Sequence, residues 1–253
     1  MKLFLLLMMA MSCISCQTAT QPKTKPLQPK QIAEIALPNG FQRIKTVPNT
    51  FEYWLQHYPL LKDNTVYLYD GNSKSNQQLH EAVLDISIGN KNLQQCADAV
   101  VRLKAEYYFS KKEYSKIVFN AGKTVFDFNA FASKRNCFSH ECLLEFLENV
   151  FNNYGTYNLE EQLHTVANYS SLTIGNVFIK GGAPGHAMLV VDVAVNATTG
   201  EKIFLLAQSF MPAQSVHVVK NLKDNWLSPW YSCNSESVKT PGWTFTQAQL
   251  KKW

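Results

Sequence analysis

Between Asn92 and Phe109, apolar residues recur at three- and four-residue spacing. Leu93, Cys96, Val100, Leu103 and Tyr107 form one stripe, which predicts the best-defined helix of the chain. Phe51–Tyr58 predicts a shorter helix, with Asn49 or Thr50 available to cap its start. Ser139–Tyr154 predicts another amphipathic helix ended by Gly155, and Asn158-Leu159-Glu160-Glu161 has the form of a capping box that opens a third. Thr65–Tyr69, closed by Asp70-Gly71, reads as a strand and turn, and Lys116–Phe128 reads as strands around Gly122. Past Asn176 the pattern shifts to short apolar runs: Asn176–Lys180, His186–Val195, Lys202–Ser209 and Val216–Val219. Asn196–Gly200 supplies turn chemistry between the second and third of these runs. Helices followed by an antiparallel β-meander predict an α+β domain, not alternating βαβ units.

The first residues follow a different pattern. Lys2 precedes the apolar run Leu3–Met11, which is too short to span a bilayer and has the form of an export signal. The run ends in Ser12-Cys13-Ile14-Ser15-Cys16, with a small residue directly before each cysteine. This resembles a bacterial lipoprotein signal over residues 1–16, with Cys16 as the first choice for lipidation and Cys13 as the second; an ordinary cleaved signal peptide is the alternative. Residues 17–31 are rich in Thr, Gln, Pro and Lys and lack apolar periodicity, as an extended tether would. Residues 32–253 are then expected to form a single globular domain, exported and held at the membrane of the cell envelope by the lipid.

Composition narrows the classes. With 46% hydrophobic and 17% charged residues the chain is neither wholly disordered nor a multi-pass membrane protein. A net charge of +5, with several lysines in the tether, gives no concentrated nucleic-acid footprint. No phosphate loop, dinucleotide fingerprint or zinc-protease helix occurs, so no cofactor or metal is expected.

One set of residue types can carry chemistry. Cys96 sits near the start of the long helix, where unpaired N–H groups and the helix dipole favour a thiolate. His186 opens a strand after Gly181-Gly182-Ala183-Pro184-Gly185, and Gln208 ends the next one. Together they offer a nucleophile, a base and a group to orient the base, with Gln94 or Gln95 as an oxyanion donor. The competing readings are a core thiol, a structural histidine and a polar strand end. Strict alternation places His186, Met188, Val190 and Asp192 on one face, with Asp192 too far along to orient the histidine. Gln208 requires the correct hairpin register, because a slip of one residue turns it to the other face.

The order of helix cysteine, strand histidine and next-strand polar group resembles the papain-like superfamily, in particular its NlpC- and CHAP-type cell-wall hydrolases. The echoes are Gln95-Cys96, Gly175–Ile179 and Gly185-His186-Ala187. The resemblance implies an NlpC-type fold with an N-terminal helical part and a C-terminal antiparallel meander, and a cysteine peptidase or amidase acting on peptidoglycan or another envelope amide. A broader resemblance links Asn92–Ala99, Pro184–Ala187, Ala207–Gln214, Ser228–Tyr231 and Thr240–Trp243 to a bacterial lipoprotein family labelled only as a domain of unknown function. It implies export and no activity, so a non-catalytic envelope-binding lipoprotein is the alternative function.

Two further groups stand out. Cys137 and Cys142 flank His140, but no second Cys/His pair with finger spacing accompanies them, which favours a disulfide over zinc. Trp226, Trp230, Tyr231 and Trp243 either line a groove for a cell-wall peptide or glycan, or close the core beneath a long loop.

Overall fold

A computed structural model describes residues 28–253. Residues 1–16, with Cys13 and Cys16, and most of the expected tether lie outside the described residues. Gln28, within the expected tether, donates its side-chain amide to the Lys62 carbonyl, and Gln31 forms a bridge with Pro59.

Along the chain come β1 (Phe41–Arg43), α1 (Phe51–Gln56), β2 (His80–Val83) and α2 (Cys96–Ser110). A hairpin of β3 (Val118–Ala121) and β4 (Thr124–Asp127) leads into α3 (Phe128–Arg135), α4 (His140–Phe151) and α5 (Thr156–Gln162). Then follow β5 (His164–Thr165), β6 (Val177–Lys180), β7 (His186–Asn196), β8 (Lys202–Gln208) and β9 (His217–Val219). The chain closes with β10 (Tyr231–Ser232), β11 (Ser237–Lys239), β12 (Thr244–Thr246) and β13 (Leu250–Lys252).

Local chemistry explains the helix boundaries. Thr50 accepts the Tyr53 N–H at the start of α1, and Ser139 accepts the Cys142 N–H at the start of α4. The α2 helix begins at Cys96 rather than Asn92, because the Asp98 carboxylate accepts the Gln95 N–H at 2.9 Å and fixes Gln95 as the cap. Gly122 turns the β3–β4 hairpin with φ +58°, a conformation in which a side chain is strained. The α3 helix, capped by Asp127, replaces the last of the strand character expected up to Phe128.

A nine-stranded sheet organises the molecule in the order β2-β9-β8-β7-β6-β13-β5, with β1 also pairing β7 and β10 also pairing β8. Every one of these pairings is antiparallel. This overturns the expected NlpC-type, papain-like α+β arrangement. The fold is β-rich and built on one large sheet, and the N-terminal region is not a separate helical part. Strands from residues 41–43 and 80–83 enter the sheet beside the central meander, and residues 250–252 insert between β6 and β5. These strands have three or four residues each, too few to show a period in the sequence. Thr65–Tyr69 forms no strand; Tyr67 and Leu68 make only isolated bridges, to Ser73 and Gln214.

The core lies around β7 and β8, whose residues are nearly all buried. Helices α1 and α2 pack on β7. In the β7–β8 pairing the register shifts by one residue at Val191: Asp192 opposes Leu205, and Val190 opposes Leu206. The shift corrects the expected common face, because Asp192 now lies opposite in facing to His186, Met188 and Val190. Asp192 is instead clamped by Arg43 Nε at 2.6 Å and by Gln56 Nε2 of α1 at 2.8 Å. Burial raises its carboxyl pKa, against the opposing pull of Arg43 and Gln56.

Candidate functional site

Two loops hold the start of α2 against the end of β8. The Ser209 hydroxyl lies 2.9 Å from the Gln94 carbonyl, and the Ala213 N–H donates to Asn92 Oδ1 at 2.8 Å. These ties set Cys96 beside the N-terminal end of β7. A cleft of about 680 Å³ opens there, lined by Cys96, His186, Gln95, Phe210 and Trp243 together with Tyr154 and Thr156.

Cys96 is partly exposed and is the first residue of α2. Burial raises its thiol pKa; the backbone N–H of Ala187, and those of Ala97 and Cys96 itself, pull it down, while the Asp98 carboxyl adds to the rise. Asp98 is itself pushed up to about 8 by burial, so its charge is reduced near neutral pH. The sulfur therefore rests as a thiol at the first position of α2, where backbone N–H groups only partly offset the effect of burial.

His186 is 2% exposed, and burial lowers its pKa to about 4 against the favourable hydrogen bond to Gln208. Its Nε2 lies 2.7 Å from Gln208 Oε1. Among the described residues its Nδ1 has no hydrogen-bond partner. Rings of Phe210, Trp243 and Phe245 surround the imidazole at centroid distances of 4.9, 5.6 and 6.0 Å. This apolar collar accounts for the depressed basicity. The approach to His186 is tight: a Cβ on Gly185 would fall 2.3 Å from Thr156 Oγ1 and 2.4 Å from the Gly182 carbonyl. Gly185 is therefore required by close packing.

The structure brings Cys96, His186 and Gln208 to one end of the sheet, with Gln208 buried behind the histidine. The two glutamines expected at the oxyanion position separate. Gln95 borders the cleft, and among the described residues its side-chain amide makes only long contacts to Asn92, at 3.3 and 3.4 Å. Gln94 is buried and does not border the cleft; its Oε1 accepts from Arg102 Nη1 at 2.9 Å, and its Nε2 has no partner among the described residues.

The aromatic groove divides in the same way. Trp243 walls the cleft, whereas Trp230 is fully buried and donates Nε1–H to the Ala36 carbonyl at 2.8 Å. Tyr231 is buried at a separate hollow of about 400 Å³ shared with Asn221 and Glu236, its hydroxyl bonded to the Lys220 carbonyl. Trp226 is 65% exposed against Phe41. The four do not form one groove, because the chain between residues 226 and 243 crosses from the surface through the core to the cleft.

Cys137 and Cys142 are joined as a disulfide, and Cys96 and Cys233 carry free thiols. Burial pushes the Cys233 thiol up to about 12. Among the described residues no group of three His, Cys, Asp or Glu is arranged to hold a metal ion. No helix among them is long and apolar enough to cross a membrane.

Nothing in the sequence pattern singles out Phe210, Thr156 or His217 for a role at the site. Phe210 and Thr156 reach the site from loop and helix positions with no local signal. His217 lies in the apolar run Val216–Val219, and only the pairing of β8 with β9 sets it beside Gln208. Comparison with curated proteins and with solved structures gives no match. Over residues 32–252, however, the chain matches one family model, and it belongs to the family described as Domain of unknown function (4846).

Proposed function

We propose that the cleft is the active site of a cysteine hydrolase that is exported, anchored through a lipid on Cys16 or Cys13, and active on peptidoglycan or another envelope amide. The observation that carries this reading is that Cys96 and His186 border one cleft while Gln208 holds the far side of the imidazole. The export and lipid assignments are supported by the sequence of residues 1–16, and the substrate class follows from that location.

With a raised thiol and a weakly basic imidazole, the resting pair is neutral. The reaction therefore begins with general-base attack: Sγ adds to the substrate carbonyl carbon as its proton passes to His186 Nδ1. Backbone N–H at the start of α2 and the Gln95 side-chain amide, which borders the cleft, stabilise the oxyanion. The amine leaves with the proton from His186, and a thioester remains on Cys96. Water activated by the same nitrogen then releases the acid and restores the thiol.

Alkylation of the purified chain with iodoacetamide at about pH 6.5, read by mass spectrometry, tests the proposal. Cys96 is expected to react faster than Cys233, and His186→Ala should slow Cys96 while leaving the Cys233 rate unchanged. Equal, slow reaction of both thiols would leave the cleft as a ligand-binding surface of a non-catalytic envelope lipoprotein.

A further inference from the structure

We propose that His217 is a positioning residue: through Gln208 it fixes which nitrogen of His186 carries the proton. The inference deepens the hydrolase reading and rests on it only for the effect on Cys96 reactivity; the proton arrangement is independent of it.

Strands β7, β8 and β9 are neighbours, and Gln208 and His217 are directly paired in the β8–β9 register. His217 is fully buried, with Nδ1 at 2.8 Å from the Ser215 carbonyl. A carbonyl only accepts, so Nδ1 must carry the proton, and the neutral ring is left with a bare Nε2. That nitrogen lies 3.4 Å from Gln208 Nε2, which can only donate. The contact is long, but among the described residues it is the one hydrogen bond that the Gln208 NH₂ makes.

The amide direction follows. With its NH₂ toward His217, Gln208 presents its carbonyl oxygen to His186 Nε2 at 2.7 Å. This requires a proton on His186 Nε2 and leaves Nδ1 as a lone pair, the form a general base needs. The chain of roles runs from the Ser215 carbonyl to the cleft without a free choice at any step. Replacing the acceptor on residue 217 removes the constraint. The amide can then turn over, offer NH₂ to Nε2 and force the proton onto Nδ1.

The His80 ring packs edge-on to His217 with centroids 5.7 Å apart, and its Nε2 donates to the Asn64 carbonyl at 2.6 Å. This neighbour supplies no competing acceptor bond to Gln208.

The test is long-range ¹H–¹⁵N correlation of the histidine rings in the full chain at about pH 7, alongside Cys96 alkylation rates. The wild type should show His217 protonated on Nδ1 and His186 on Nε2; the reverse tautomer at either ring overturns the proposal without any variant. His217→Leu should shift His186 toward the Nδ1-protonated form and slow alkylation of Cys96 by about tenfold or more. His217→Gln, which restores an acceptor oxygen near the Nε2 position, should recover both. A folded His217→Leu chain that keeps the wild-type His186 tautomer overturns the proposal. A reversed tautomer with unchanged Cys96 reactivity supports the positioning role and defeats the hydrolase reading.

Discussion

His186 Nε2 and Gln208 Oε1 stand 2.7 Å apart across β7 and β8, both residues nearly fully buried. The contact occupies one ring nitrogen in the interior and leaves the other without a partner among the described residues, on a ring that borders the cleft. A neutral amide can orient the ring without making it a strong base, which agrees with a pKa lowered to about 4 by burial.

Gln208→Glu should change that balance. A carboxylate at hydrogen-bond distance favours the imidazolium and should raise the His186 pKa by roughly 1–3 units. An NMR pH titration of the His186 ring reads the shift. An unmoved pKa would mean that residues 186 and 208 are not partners in solution.

Gly185→Ala places a methyl against Thr156 Oγ1 and the Gly182 carbonyl. Because one of these obstacles is backbone, shortening Thr156 should not relieve the clash. The variant should lose about 1–3 kcal/mol in denaturant unfolding and react more slowly at Cys96, since His186 must move. A wild-type unfolding midpoint would show that the loop yields around the added methyl.

The tryptophans should differ in kind. Trp230→Ala empties a fully buried site and breaks the bond to the Ala36 carbonyl, at a cost of about 3–5 kcal/mol. Trp243→Ala removes a cleft wall and should cost less stability while altering access of alkylating reagents to Cys96. Equal unfolding losses for the two would argue against placing Trp243 at the cleft.

His217 makes stability depend on pH. Burial lowers its folded pKa to about 3, so below its unfolded value near 6.5 the unfolded chain takes up a proton that the folded chain refuses. Its contribution is whole above that value and is lost as pH falls through the window toward 3. Asp98 and Asp192, whose pKa values burial raises, act in the opposite sense, so the comparison must be with a variant. Relative to His217→Gln, the wild type should lose about 2 kcal/mol of unfolding free energy between about pH 7 and pH 5. Parallel stability curves would contradict a buried, neutral His217.

Features encoded within a few neighbouring residues were legible from the chain alone. The stripe of α2, the caps Thr50 and Ser139, the turn at Gly122 and the runs that became β6 to β9 all follow from local periodicity and side-chain chemistry. How these parts meet depends on contacts between residues distant in the chain. At the turn end of the β7–β8 hairpin Val195 opposes Lys202, and continuing that register would set Gln208 against Leu189, on the face away from His186. The one-residue shift at Val191 brings Gln208 onto the histidine's face and sends Asp192 to Arg43 and Gln56. Nothing in the local pattern marks that shift. It is fixed by packing between residues far apart in the chain, as are the short strands at 41–43, 80–83 and 250–252 that turned the expected α+β meander into one large sheet.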